Sequence, residues 1–496
     1  MHTSGSVAAV DLGATSGRVI VGHVDGGGVR MEHVARFANG PVPVWEGERE
    51  ALHWDALELY RQVRLGLRDA LARHHDVVSI GVDSWAVDYG IVRAGRITHQ
   101  PYHYRDERND AASRSMLRKI GKEALFRRNG LQHLPFNTVF QLHADLRDGL
   151  LQSGDRALLI PDLLGYWLTG AQAAERTNAS TTGLLDVNTG RWSDDLRWSL
   201  GLPSGIFPEL GQPGVELGGL LPAVADAVGA GPSTPVTLVG SHDTASAVVA
   251  VPATEPDFAY ISSGTWSLVG VELDAPVVTD AAREANCTNE GGVDGRVRFL
   301  KNVSGLWLLS ESVRTWERDG ERIDLEALLA SAADVTTAVP VFDVADDVFA
   351  APGDMPARIA AWCAAHGLEV PGSRAEFVRS ILESLAVAYA ETLRTIVDVT
   401  GKDVRVVHVV GGGSQNRLLC QLTADRTGLP VLAGPVEATA LGNVLVQARA
   451  HGLAGLGGAS LEALRDVVAR TTEPVRYTPA PGSDARPLRT TVRSHA

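Results

Sequence analysis

Cysteine is nearly absent. Cys287, Cys363 and Cys420 are three thiols in 496 residues, an odd and scattered set that supports no disulfide framework and predicts buried thiols in a reducing compartment. Long apolar runs are also missing: none approaches the ~20 residues that span a bilayer. The opening MHTSGSVAAVDLG lacks the basic stretch and apolar core of a secretory leader, so a cytoplasmic protein without a membrane partner is expected. The sequons at Asn178, Asn286 and Asn302 then read as chance. No cluster of lysine or arginine offsets a net charge of −14, which argues against nucleic acid as a partner.

Several catalytic signatures are missing as well. There is no G-x-x-x-x-G-K-[ST] loop, no G-x-S-x-G elbow and no C-x-x-C pair. Gly411-Gly412-Gly413 follows an apolar strand, but Asn416 stands where a dinucleotide fingerprint needs its third glycine. His99 and His103 flank Pro101, a poor frame for zinc. No short-period repeat or heptad run occurs.

What is present is a recurring hairpin. VAAVDLGATSGRVIVGHV (7–24) and AYISSGTWSLVGVEL (259–273) are each an apolar strand, a Gly/Ser/Thr turn and a second apolar strand. Such turns can direct successive backbone N–H groups at one anion. Asp11 ends the first strand, where a carboxylate reaches a metal riding on phosphates. Two copies half a chain apart suggest a duplicated domain holding a nucleotide. At 496 residues the chain exceeds a single core, and the composition is that of a soluble globular protein.

Strands alternate with helices in both halves, which defines an α/β protein. VTLVG (236–240) reads as a strand, SHDTAS (241–246) as a polar turn, and the next residues as a helix with Asp243 at its start. ALLIPDLLGYWLTG (157–170) reads as an apolar run broken by proline. A long helix is predicted over about 375–400, with Gly401 as its C-cap. The domains divide as 1–250 and 251–496.

These segments, with VDSWAVD (82–88), TNASTTGLLD (177–186), SHDTASAV (241–248), YISSGTWSL (260–268), ANCTNEGG (285–292), VVGGGSQNRLL (409–419) and AGPVEATALGN (433–443), carry a resemblance. The chain resembles the FGGY carbohydrate kinases from about residue 7 to residue 450, and within them the branch acting on L-rhamnulose. The resemblance implies two actin-like (ribonuclease H-like) domains of the actin/hexokinase superfold with an interdomain cleft. It implies ATP and Mg²⁺, transfer of the γ-phosphoryl group to the sugar's C1 hydroxyl, and a monomer or homodimer.

By the same resemblance Asp243 is the base that accepts the hydroxyl proton, and a helix N-terminus keeps such a carboxylate ionised. His242 and Thr244 flank it and hold the sugar with Ala86 and Asn302. Ala14, Thr15, Ser16, Gly17 and Arg18 form the first phosphate turn, Thr265 the second. Gly413 lies against the adenosine, and Asp11 faces Mg²⁺ through water. Two positions depart from the family: Ala86 replaces a glycine in T-W-G-V-D, which can reshape the sugar pocket, and Ser310 replaces a nucleotide-contacting glutamine. Plainer readings stay open: Asp243 and Asp11 as local caps, Trp85 and Trp266 as core residues. Another ketose, L-fuculose or xylulose, and a non-catalytic sugar sensor are the rival functions.

Overall fold

The computed structural model describes residues 4–231 and 233–482, which form two compact units. One comprises the chain up to Thr254 with Glu272–Phe299 and Ala438–Thr471; the other comprises Glu255–Val271, Leu300–Glu437 and the segment from Thr472.

The first unit is built on strands β1 (Gly5–Leu12), β2 (Ser16–Asp25), β3 (Gly28–Ala38), β4 (Val77–Ser84), β5 (Glu216–Gly219) and β6 (Pro235–Thr237), in sheet order β5-β6-β4-β1-β2-β3. β1, β2 and β3 form an antiparallel meander, whereas β4 runs parallel to β1 and β6 parallel to β4. β1 is apolar almost throughout because both faces of the sheet are covered. Helix Ala56–Arg73 lies on one face, where Gly66 has room for no side chain against Val19 and Ala35. Helix Ala438–Ala450 lies on the other: Ala440, Val444 and Ala448 pack with Val7, Ala9, Ile20 and Val24.

A second sheet repeats this plan with β7 (Phe258–Ser263), β8 (Trp266–Leu273), β9 (Val297–Ser304), β10 (Val406–Val410), β11 (Val431–Ala433) and β12 (Val475–Tyr477), adjacent in the order β9-β8-β7-β10-β11-β12. Again the hairpin β7/β8 is antiparallel, the strand beside its first arm is parallel, and the last edge strand is antiparallel. Over these six strands the two sheets share one strand order, as a duplication requires; the second sheet adds a seventh strand, Thr288–Gly291, outside β9.

The long helix spans Arg374–Thr400. It starts at a capping box of Ser373 and Glu376 and ends at Gly401 with φ 69°. Two local expectations change. Pro161 does not break its segment but opens helix Ile160–Thr169, where the missing N–H is no loss. The strand expected over 236–240 stops at Thr237, because the chain must turn to bring Ser241 beside β4. All three cysteines are buried. Among the described residues no helix is long and apolar enough to cross a membrane.

Candidate active site

In the first unit the hairpin β1/β2 turns at residues 13–15, closed by a bond from Gly13 N–H to Ser16 C=O. Asn39, just past β3, clamps the turn: its backbone N–H donates to Thr15 C=O and its Nδ2 to Gly13 C=O. Ala14, Thr15 and Ser16 are partly or fully exposed at its tip. Gly17 is buried, and a Cβ there would lie 2.2 Å from the Phe37 ring, so glycine is demanded by packing.

Register then lines up three charged residues. Asp11 pairs with Arg18 across β1/β2 and with Asp83 across β1/β4. Arg18 Nε lies 3.3 Å from Asp11 Oδ2, so the arginine is held as the carboxylate's partner. Asp83 is fully buried, and its pKa is pushed well above the ordinary range by burial first and by the neighbouring Asp11 charge second. Asn443 opposes the shift, donating from Nδ2 to Asp83 Oδ2 at 2.6 Å, and Asp243 adds to it. Asp83 Oδ1 has no hydrogen-bond partner among the described residues.

The loop carrying Asp243 is seated against the end of β4. Ser84 N–H donates to Ser241 C=O, and Ser84 and His242 form a parallel bridge. Buried Glu175 fixes the loop from beneath: it accepts Ser241 N–H at 3.0 Å and the Ser241 hydroxyl at 2.7 Å, as well as Thr177 N–H and hydroxyl. Burial raises the Glu175 pKa, and those donors moderate the rise.

Asp243 opens helix Asp243–Val249 with its side chain 30% exposed. Its Oδ1 accepts from the Thr244 N–H and hydroxyl, and no hydrogen bond among the described residues engages Oδ2. The orientation of His242 follows from its other side. Arg298, entirely buried, directs Nη2 at His242 Nδ1 from 2.9 Å. Arginine has no acceptor atom, so Nδ1 carries the lone pair and the imidazole proton sits on Nε2, 3.4 Å from Asp243 Oδ1. Glu290 Oε2, 3.2 Å from Arg298 and 3.3 Å from His242 Nδ1, balances the guanidinium charge. The carboxylate thus has one oxygen anchored by the two Thr244 donors, with His242 Nε2 nearby, and one oxygen available.

Ala86 is half-buried in a strained loop. Asp88 N–H returns to Ala86 C=O, and Val87 has φ 67°, a γ-turn costing on the order of 1–3 kcal/mol. Thr138 holds it through the Val87 C=O. Trp85 is a core residue, its indole donating to Asp88 alongside that of Trp54.

The Asp88 carboxylate also receives Gln141 and Tyr104 N–H, yet burial outweighs these donors and pushes its pKa up to about 7. A folded pKa above the unfolded one means the native state binds more protons between the two values. Stability falls as pH rises through that window and levels off above it. Wild-type stability measured against Asp88→Asn by urea unfolding is expected to decline by about 4 kcal/mol between pH 4 and pH 8; a flat or rising difference contradicts the assignment.

In the second unit Thr265 sits half-exposed in the β7/β8 turn. Helix Trp307–Arg318 is tied to that turn, with Leu306 N–H on Gly264 C=O and Trp307 N–H on Thr265 C=O. Gly305 permits the approach, since a Cβ there would lie 2.6 Å from the Trp266 carbonyl carbon. Ser310 is exposed on the first turns of the same helix, and Asn302 is half-buried on β9. Gly413 packs on the end of β7, where a Cβ would fall 2.0 Å from Ser263 Oγ. Asp11, Ala14–Arg18, Ala86 and His242–Thr244 thus belong to the first unit, and Thr265, Asn302, Ser310 and Gly413 to the second.

Sequence reasoning gave no role to Asp83, Glu175, Glu290, Arg298 or Asn443. Asp83, Glu290 and Asn443 lie inside the quoted motifs, which was the available signal; Arg298, in the ordinary strand sequence VRFL, gave none.

Solved structures share this architecture. A xylulose kinase from Lactobacillus acidophilus superposes with a TM-score of 0.77 at 16% identity, covering 96% of this chain and 94% of that one. A glycerol kinase from Plasmodium falciparum, with ADP, gives 0.73 at 14% identity, covering 96% and 94%. The fold is thus the two-domain α/β fold that these structures share. The chain belongs to the FGGY family of carbohydrate kinases: residues 6–250 match the family's N-terminal domain and residues 259–451 its C-terminal domain. Two relatives named rhamnulokinase extend the match along almost the whole chain. That of Bacteroides thetaiotaomicron is 40% identical over 474 residues, 95% of each chain. That of Pectobacterium carotovorum is 41% identical over 484 residues, 97% of this chain and 94% of the relative.

Proposed function

We propose that this kinase transfers the γ-phosphoryl group of ATP to the C1 hydroxyl of L-rhamnulose, giving L-rhamnulose 1-phosphate and ADP. The observation that carries the substrate is the identity of about 40% to rhamnulokinases along nearly the full chain. The site chemistry suits the reaction. As the sugar oxygen bonds to the γ-phosphorus and the bond to the β,γ-bridging oxygen breaks, ADP leaves with the electron pair. The hydroxyl proton passes to Asp243 Oδ2. Thr244 holds Oδ1 through its N–H and hydroxyl, so the carboxylate is oriented before the sugar arrives.

In this reading His242, Thr244, Ala86 and Asn302 touch the sugar. Ala14–Arg18, Thr265, Ser310 and Gly413 touch ATP, and the kinase halves divide at residues 1–250 and 251–496. Asp11 holds Mg²⁺. Paired, in-register Asp11 and Asp83, with a buried carboxylate oxygen on Asp83 that has no hydrogen-bond partner among the described residues, fit a divalent cation. When bound, the ion would neutralise phosphate charge. ATP as donor places the work in the cytoplasm.

A second reading, the same chemistry on L-fuculose or xylulose, is favoured by Ala86 in its strained loop. Initial-rate ADP release on a panel of L-rhamnulose, L-fuculose, D- and L-xylulose and L-ribulose tests both. The highest kcat/KM is expected on L-rhamnulose. Preference for another ketose transfers the substrate, and no sugar-dependent turnover by folded, ATP-binding protein makes the chain a sensor.

A further inference from the structure

At the far end of the first sheet from Asp11, three ligand-type side chains converge. His23 on β2, Glu32 on β3 and His74 at the C-cap of helix Ala56–Arg73 bring one ligand atom each within 4.8 Å of the others. Ser6 and Asp11 are five residues apart on β1, so this cluster lies about 17 Å from the row of Arg18, Asp11 and Asp83.

Hydrogen-bond logic fixes what His23 presents there. The Ser6 hydroxyl has one proton, donated to Asp76 Oδ2 at 2.6 Å. Its second contact, 2.8 Å to His23 Nδ1, is therefore one in which Nδ1–H donates. In the neutral imidazole Nε2 then carries a lone pair. That atom is buried, has no hydrogen-bond partner among the described residues, and stands 3.7 Å from Glu32 Oε2. Two electron-rich atoms so placed lack the positive charge between them. Zinc–nitrogen and zinc–oxygen bonds of about 2.0–2.2 Å in a tetrahedron put ligand atoms roughly 3.3–3.6 Å apart, close to this gap.

His74 completes the face. Its Nε2 is 3.2 Å from Glu32 Oε1, and its ring meets that of His23 edge-on with centroids 4.9 Å apart. Arg30 is the competing cation, 3.9 Å from Glu32, but its side chain is 69% exposed and readily displaced. The Ser6–Asp76 relay behind His23 is the arrangement that fixes the tautomer of a metal-ligating histidine.

We propose that His23, Glu32 and His74 form a binding site for a zinc-class divalent transition-metal ion, oriented by Ser6 and Asp76 and separate from the phosphoryl-transfer site. The ion would join the β2/β3 hairpin to the end of helix Ala56–Arg73, with its fourth position left to water. Binding would release any proton that His74 Nε2 shares with Glu32.

The test is calorimetric titration of the chelator-treated full chain with Zn²⁺, in excess Mg²⁺ to occupy carboxylate sites. Co²⁺ absorption reports geometry. One ion per chain is expected, with dissociation constant below about 10 μM, tetrahedral Co²⁺ bands and a rise of a few degrees in Tm. His23→Gln and His74→Gln should each weaken binding at least tenfold, and Ser6→Ala by about 10–100-fold, while Asp243→Asn leaves it unchanged. Each variant must melt, metal-free, like the chelated wild type. Should His23→Gln not fold, His74→Gln at the partly exposed helix end carries the test. No stoichiometric uptake by wild type, or uptake undiminished in His74→Gln, overturns the site.

Discussion

Replacing Asp243 by asparagine is expected to lower kcat on the preferred ketose by about 10²–10⁴-fold, the usual contribution of a positioned general base, with KM for ATP and the melting temperature close to wild type. The geometry makes this a clean substitution. Oδ1 is the anchored oxygen, taking Thr244 N–H at 2.5 Å and the Thr244 hydroxyl at 3.1 Å, and an asparagine carbonyl can keep both bonds. The change falls on Oδ2, which becomes an amide that cannot accept a proton. The side chain is already partly exposed, so little burial is disturbed. Steady-state kinetics with nucleotide-binding calorimetry on the same preparation checks it. A kcat within tenfold of wild type would move the proton acceptor elsewhere.

The largest structural effect is expected from a single methyl group. Gly442 lies in helix Ala438–Ala450 where it crosses helix Asp243–Val249, and a Cβ there would sit 1.8 Å from Ser246 O and 2.6 Å from Ser246 C. Two opposing terms decide the outcome. Alanine in place of glycine favours an isolated helix by about 1 kcal/mol. The overlap, however, is with backbone atoms that cannot rotate away, so one helix must shift. Gly442→Ala is expected to destabilise the protein by about 3 kcal/mol or more. It is also expected to lower kcat, because the shift moves Asp243 on one helix and pulls Asn443 from Asp83 on the other. Urea unfolding and kinetics measure both; a variant within about 0.5 kcal/mol of wild type refutes the packing argument.

Local chemistry was the legible part of the sequence. The hairpins, the capped helix Arg374–Thr400 and the helix start at Asp243 are written in adjacent residues. What escaped depends on distant segments. Asn443 reaches Asp83 across 360 positions, Arg298 reaches His242 across 56, and Glu175 holds Ser241 across 66. Nothing in the spacing of a lone arginine in VRFL announces that it sets a histidine tautomer. Asp83 was visible as a residue but its meaning was not, since that follows from the parallel register placing it beside Asp11. Pro161 misled for a related reason: the same residue stops a helix or starts one, depending on where the preceding strand ends.

The placement of helix Ala438–Ala450 has a consequence for biosynthesis. The face of the first sheet formed by Val7, Ala9, Ile20 and Val24 is covered by Ala440, Val444 and Ala448, which the ribosome makes more than four hundred residues later. At about 5–20 residues per second, that face waits roughly 20 to 85 s for its cover. During that interval the nascent chain carries an uncovered apolar sheet face, the kind of surface that promotes aggregation. A gene fragment ending near residue 254 lacks the cover for good, and it should accumulate as insoluble protein when the full-length chain does not.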